Sequence, residues 1–152
     1  MDRRDVQKIL VTGGTGMIGA NLVRRLVHDG NQVCVLARRT VDRVRLQCIE
    51  EHLETVQSDI TDAETVYRTV RRVAPDVVYH LASTPFNPPT TDSETHLRVN
   101  VLGTCNLLEA LRDFTDIRII FTGSTAVYGS GSHLREDQPP SPGTLFGASK
   151  VC

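Results

Sequence analysis

No apolar run in the 152 residues reaches the roughly 20 that a membrane-spanning helix needs. The N-terminus MDRRDVQK leads directly into a short hydrophobic stretch, with no signal-type apolar region followed by small residues, so a cytoplasmic protein without a membrane partner is expected. The chain has no C-x-x-C pair: Cys34, Cys48, Cys105 and Cys152 are widely scattered, which argues against a zinc site or a disulfide framework and for cysteines used as buried small hydrophobes. It also has no surplus of charge. With 17 basic and 18 acidic residues and a net charge of −1, it lacks the basic field that binding nucleic acid requires. Internal repeats and low-complexity tracts are missing as well. What remains, 39% hydrophobic and 23% charged, is the composition of one ordinary globular domain with one core.

Short β-branched runs alternate with longer stretches of helical spacing. KILVTGG (Lys8 to Gly14), QVCVLAR (Gln32 to Arg38), LETVQSD (Leu53 to Asp59), DVVYHLA (Asp76 to Ala82) and RIIFTGS (Arg118 to Ser124) read as strands buried on both faces. Between them, Met17 to Asp29, Val41 to His52, Asp62 to Val73 and Ser93 to Asp113 read as helices. Parallel neighbours need crossover connections, so this alternation predicts an α/β domain with a doubly wound parallel sheet of the Rossmann type. Right-handed crossovers give the strand order 3-2-1-4-5, with a ligand crevice outside the carboxyl ends of strands 1 and 4. Two aperiodic stretches, Ser83 to Thr91 and Gly129 to Thr144, each follow a strand at that end and are assigned to substrate contact.

The first strand runs into TGGTGMIG, Thr12 to Gly19, which contains G-x-x-G-x-x-G through Gly13, Gly16 and Gly19. The glycines play separate roles. The early ones permit a turn, Gly16 lets backbone amides approach a pyrophosphate, and Gly19 lets the helix pack close to the sheet. Amides at the helix start, at Met17 and Ile18, then meet the phosphate charge. A tight strand-to-helix turn also uses glycine for conformational reasons alone, but here the motif lies between a strand and a helix in a βαβ unit, the context dinucleotide binding requires. At the end of the second strand, where an acid would hold the ribose diol of NAD, the chain has Arg38 and Arg39. These favour NADP over NAD, because a guanidinium grips a 2′-phosphate that a carboxylate repels. The alternative is two solvated arginines at a strand end.

Five segments in order resemble the extended short-chain dehydrogenase/reductases, specifically the NAD(P)-dependent epimerase/dehydratase family that modifies nucleotide sugars. They are TGGTGMIG, SDITD (Ser58 to Asp62), HLAS (His80 to Ser83), NVLGTCNLLEA (Asn100 to Ala110) and STAVYG (Ser124 to Gly129). The resemblance implies an NAD(P)-binding Rossmann domain over residues 1–152, acting on a nucleotide-sugar substrate. It implies that Asp59 and Ile60 contact adenine and that Leu81, Ala82 and Ser83 line the dinucleotide. Asn100 matches a family position in the helix after the fourth strand. It further implies that Ser124 hydrogen-bonds the reacting sugar hydroxyl and that Lys150 binds the nicotinamide ribose and lowers the pKa of a catalytic tyrosine. Two residues have plainer readings: Asp59 as a cap on the helix starting near Asp62, and His80 as a satisfied core histidine, the latter preferred.

The chain departs from the family twice. The family's Tyr-x-x-x-Lys pair reads Phe146-Gly-Ala-Ser-Lys150 here, which keeps an aromatic ring and loses the hydroxyl that would carry a proton. Tyr128 is no replacement, since it belongs to the AVYG turn that the family has in addition. The chain is also shorter than the family architecture, which implies an N-terminal half without the substrate lobe and with one flank of the fifth strand uncovered. A full-length relative is expected to be a homodimer. The reading is an epimerase/dehydratase-type oxidoreductase domain, with a non-catalytic dinucleotide-binding or regulatory module as the alternative that Phe146 raises.

Overall fold

Residues Ile9, Leu10 and Val11 alternate between the two faces of a strand, and all three are at most 2% exposed, so both faces of that strand must be covered. This strand, β1 (Lys8–Thr12), is the centre of a five-stranded sheet in a computed structural model that describes residues 6–38, 40–85 and 92–152. The others are β2 (Gln32–Ala37), β3 (Glu54–Gln57), β4 (Val77–His80) and β5 (Arg118–Phe121). All pairs are parallel and the order is β3-β2-β1-β4-β5, as the crossover argument requires. Leu10 sits opposite Cys34 on one side and Val78 on the other.

Helix α1 (Met17–His28) buries Ala20, Val23 and Leu26 against Ile9, Val11, Val33 and Val35. On the opposite face, α2 (Ala63–Val73) buries Val66 and Val70 with Leu10, Leu36 and Val78. Asp62 caps α2, its carboxylate accepting from the Thr65 amide at 3.1 Å, which is worth about 1 kcal/mol to the helix start. The expected helix from Ser93 is present but composite. It comprises α3 (Ser93–His96), a π-helical segment (Leu97–Leu102) and α4 (Gly103–Leu111). Within this run the Thr104 hydroxyl donates to the Asn100 carbonyl at 2.6 Å. Gly103 lies against Ile60: a Cβ there would come within 2.6 Å of Ile60 Cγ2, so only glycine brings α4 this close. A final helix, α5 (Leu145–Val151), starts at Thr144, whose hydroxyl accepts from the Gly147 amide at 3.0 Å.

Three expectations are corrected. The segment Thr40–His52 is a 3-10 helix rather than an α-helix, anchored by Leu46, which is 2% exposed. The edge strands are not buried on both faces: Glu54 and Gln57 of β3 are exposed, and in β5 Ile119 and Phe121 are 38% and 42% exposed, because an edge strand has a neighbour on one side only. Of the cysteines only Cys34 is buried, its thiol pushed up to about 12 chiefly by burial, while Cys48, Cys105 and Cys152 are exposed. Among the described residues no helix is long and apolar enough to cross a membrane, and no cluster of His, Cys, Asp or Glu could hold a metal.

Candidate functional site

The carboxyl ends of β1 and β4 are neighbours in the sheet, so the loops leaving them face a common space. Gly13 starts its loop with φ +70°, a left-handed conformation that favours glycine, and a Cβ on it would lie 2.6 Å from the backbone of Leu81 and Ala82. The turn is therefore built for close approach to the end of β4. Gly19 is corrected in its detail: its missing side chain makes room for the loop itself, since a Cβ would meet the Gly13 carbonyl at 2.2 Å. Gly16 is different. Its backbone is ordinary (φ −68°, ψ 175°) and a Cβ would meet only the Gly13 carbonyl, at a tight 3.3 Å that a small shift relieves, so the protein's own packing presses far less on this position than on Gly13 or Gly19.

Gly16 instead faces a cavity of about 480 Å³. Gly13 and Thr15 line one wall, Ala37 and Arg38 the end of β2, and Ser58, Asp59 and Ile60 the end of β3. Leu81, Ala82, Ser83 and Thr84 complete the wall from β4. The start of α1 opens beside this space, with no side-chain cap and no acidic residue in its first turn, leaving amides and the positive helix end for an anion. A space that a Gly16 side chain would fill, beside unsatisfied amides, suits the pyrophosphate of a dinucleotide. A groove of similar volume, about 500 Å³, runs between β3 and α2 from Thr55 to Arg72, but no sequence-predicted site residue lines it.

The carboxylate of Asp59 accepts from the Thr61 amide at 2.9 Å and the Thr61 hydroxyl at 2.8 Å, a local turn, while the capping role falls to Asp62. Met17 and Ile18 do not line the cavity and are 73% and 65% exposed. Arg39 lies outside the described residues, as do residues 86–91 of the loop after β4. Arg45, which the sequence pattern does not single out, also lines the cavity.

Asn100, Ser124, Phe146 and Lys150 lie beyond this lining, and a buried polar network joins two of their elements to it. Asn100, 3% exposed, accepts from the Thr84 amide at 2.9 Å and donates to Ser149 Oγ at 2.9 Å. Ser149 in turn donates to the Phe146 carbonyl at 2.7 Å. Thr84 Oγ1 also bonds His96 Nδ1 at 2.6 Å. The network fixes α5 to the loop after β4, and every partner in it is satisfied, the condition under which buried polar groups specify a unique packing. His96 and Asn100, four residues apart on one helical face, were the available sequence signal for it; Thr84 and Ser149 had none.

The ring of Phe146 is buried and packs edge-on against the His96 ring, centroids 5.9 Å apart. Lys150 Nζ donates to the Thr122 carbonyl at 3.2 Å and stands 4.9 Å from the Phe121 ring centre. Burial pulls its ammonium below the usual lysine range. Ser124 Oγ accepts from the Ala126 amide at 3.2 Å, while Tyr128 is taken up by a bond to the Glu136 carbonyl.

His80 is the satisfied core histidine expected: 2% exposed, with Nδ1 bonded to Thr12 Oγ1 at 2.6 Å and Nε2 to Thr104 Oγ1 at 2.9 Å. Burial first, and the Lys150 charge second, push its pKa down to about 4. An unfolded histidine protonates near 6.5, so below that pH the unfolded state takes up a proton that the folded state refuses. Stability is expected to be full above pH 6.5 and to fall by about 3 kcal/mol as pH drops towards 4. Urea titrations across pH 4 to 7 on the wild type and His80→Gln check this; the same pH slope in both would mean that other groups carry it.

The sequence model of the NAD dependent epimerase/dehydratase family matches residues 9–152. Over 148 residues the chain is 34% identical to a UDP-glucose 4-epimerase of Lactobacillus helveticus, covering 95% of this chain and 44% of the relative. A dTDP-glucose 4,6-dehydratase of Mycobacterium tuberculosis is 35% identical over 154 residues, with 95% and 46% covered. The chain thus spans less than half the length of these relatives. Among solved structures, the Thermus thermophilus UDP-glucose 4-epimerase in complex with NAD superposes with a TM-score of 0.84 at 31% identity, over 94% of this chain and 47% of that one. The Bordetella bronchiseptica enzyme WbmG in complex with NAD and UDP does so with a TM-score of 0.85 at 25% identity, over 97% and 47%.

Proposed function

Because the chain belongs to the NAD dependent epimerase/dehydratase family, we propose that residues 1–152 form the dinucleotide-binding part of an enzyme that oxidises and remodels a nucleotide sugar, and that they hold NADP(H) in preference to NAD(H). The observation that carries the dinucleotide reading is Gly16: a Cβ there would have no close neighbour but one carbonyl, and the space it would occupy belongs to the cavity. The nucleotide-sugar reading draws on the relatives, all named for sugar nucleotides, and on the neighbour solved with UDP.

A bound nicotinamide supplies hydride acceptance and return. The Gly13–Gly16 loop and the open start of α1 would hold its pyrophosphate, and Asp59 with Ile60 the adenosine end. Lys150 would face the nicotinamide ribose with an ammonium already softened by burial. Ser124 keeps its own proton available, since its oxygen is engaged as an acceptor, so it can donate to a sugar oxygen. Phe146 neither gives nor takes a proton, which leaves Ser124 and Lys150 as the ionisable or hydroxyl groups for that step. The NADP preference draws on Arg38 at the end of β2, where no acid stands, although the neighbours described above hold NAD. Calorimetric titration of NADPH and NADH tests both parts: NADPH is expected to bind about tenfold or more tightly. Equal or reversed affinities would defeat the preference, and no binding of either would defeat the dinucleotide reading.

A further inference from the structure

Within the buried network that ties α5 to the loop after β4, Thr84 lines the cavity and its Oγ1 lies 2.6 Å from His96 Nδ1. The same imidazole packs against Phe146, the ring that replaces the tyrosine of the family's Tyr-x-x-x-Lys pair. Counting donors fixes where the protons are. Both hydrogens of the Asn100 amide are committed, one to Ser149 Oγ at 2.9 Å and one to Thr84 Oγ1 at 3.1 Å. The Asn100 side-chain oxygen accepts from the Thr84 amide at 2.9 Å and from Ser83 Oγ at 3.2 Å, both nearer than the Thr84 hydroxyl at 3.3 Å. The one proton of Thr84 therefore goes to His96, and 2.6 Å suits an O–H donor better than an N–H, whose bonds run about 2.7–3.2 Å. That makes His96 Nδ1 an acceptor and leaves one lone pair of Thr84 Oγ1 uncommitted. Nε2 carries the ring's proton; it has no partner among the described residues, and since none of their buried side-chain nitrogens and oxygens lacks one, Nε2 reaches the surface. A hydroxyl bonded to an imidazole acceptor and oriented by a third group, here Asn100, is the arrangement that lets a hydroxyl release its proton.

We propose that Thr84 and His96 form a proton relay that serves sugar oxidation in place of the missing tyrosine hydroxyl. The inference rests on the proposed function above and adds two residues to Ser124 and Lys150. As hydride leaves the sugar carbon for the nicotinamide, the O–H bond on that carbon breaks. Its proton passes to Thr84 Oγ1, the proton of Thr84 moves to His96 Nδ1, and the sugar is left as a ketone; when hydride returns, both protons run back. The relay is slower than a single positioned hydroxyl, since two transfers have to be aligned at once. The competing role for the pair is that of a clamp on α5, which would matter equally whatever residue stands at 146.

Two measurements decide between them. In nitrogen-proton correlation spectra of residues 1–152 at about pH 8, where an ordinary histidine is neutral, His96 is expected to carry its hydrogen on Nε2 with a bare, hydrogen-bonded Nδ1, and Thr84→Val should abolish that bond. A proton on Nδ1 overturns the relay. In the protein extended to the length of its relatives, Thr84→Val and His96→Phe are each expected to lower turnover of UDP- or dTDP-hexoses by about 10²-fold, but by less than about tenfold when Phe146 is also replaced by tyrosine. Thr84→Ser, which keeps the hydroxyl, should recover most of the loss. Should Thr84→Val fail to fold, His96→Phe, which keeps a ring against Phe146, carries the comparison. Equal losses with either residue at 146, no loss in the Phe146 protein, or turnover by the tyrosine variant alone overturns the relay and leaves the proposed function standing. No turnover by either protein overturns both.

Discussion

In a protein extended to the length of its relatives, of which this chain spans less than half, replacing Phe146 with tyrosine is expected to raise turnover of a nucleotide sugar by about 10²- to 10⁴-fold, the usual contribution of a positioned acid/base, whereas the same substitution in residues 1–152 alone is expected to restore none. The ring at 146 sits on α5 one helical turn before Lys150, so a hydroxyl added to it would join the same face as the ammonium. The helix is held in place by Asn100 and Ser149, not by the phenylalanine ring alone, so the substitution should not have to rebuild the site. Phe146→Leu is the control. It removes the ring and its edge-on contact with His96 without changing acid/base capacity, so it should lower stability and leave turnover near the Phe146 level. The assay follows nicotinamide absorbance and product chromatography with UDP- and dTDP-hexoses. A tyrosine variant no faster than the Phe146 protein would mean that residue 146 does not limit the proton step, and Ser124 would become the group to replace next.

The second large effect concerns Gly16. Gly16→Val should abolish binding of NADPH and NADH, because two methyl groups would enter the cavity where the pyrophosphate has to lie. The fold should survive: the backbone at Gly16 lies in a region any residue adopts, and its nearest non-neighbour atom to a Cβ is 3.3 Å away. Gly13→Val is the contrasting variant, since φ +70° and contacts of 2.6 Å to Leu81 and Ala82 make it destabilising in its own right. Circular dichroism and a titration on the same samples distinguish the two positions. A Gly16→Val protein that is folded and still binds both cofactors would reduce the loop to a turn.

The sheet order and the placement of the glycine loop were both legible without coordinates, because they follow from local patterns. A short continuous apolar run in KILVT and helical spacing after it define a βαβ unit, and chirality leaves one arrangement of the crossovers. The loss of the tyrosine hydroxyl was legible for a simpler reason, since it is a matter of residue type at one position. The limits of local pattern show at the edges, where β3 and β5 have the composition of covered strands but neighbours on one side only. Thr40–His52 shows the same limit, because its spacing suits either kind of helix.

The contacts that assemble the site could only come from the tertiary structure, because they join residues far apart in the chain. Asn100 meets Ser149 across 49 positions and Thr12 meets His80 across 68, and nothing in the sequence of either partner names the other. Arg45 is the sharpest case. Its reach to Thr15 spans 30 positions, and its place in the cavity lining follows from how the segment after β2 packs beside α1, which composition and spacing do not encode.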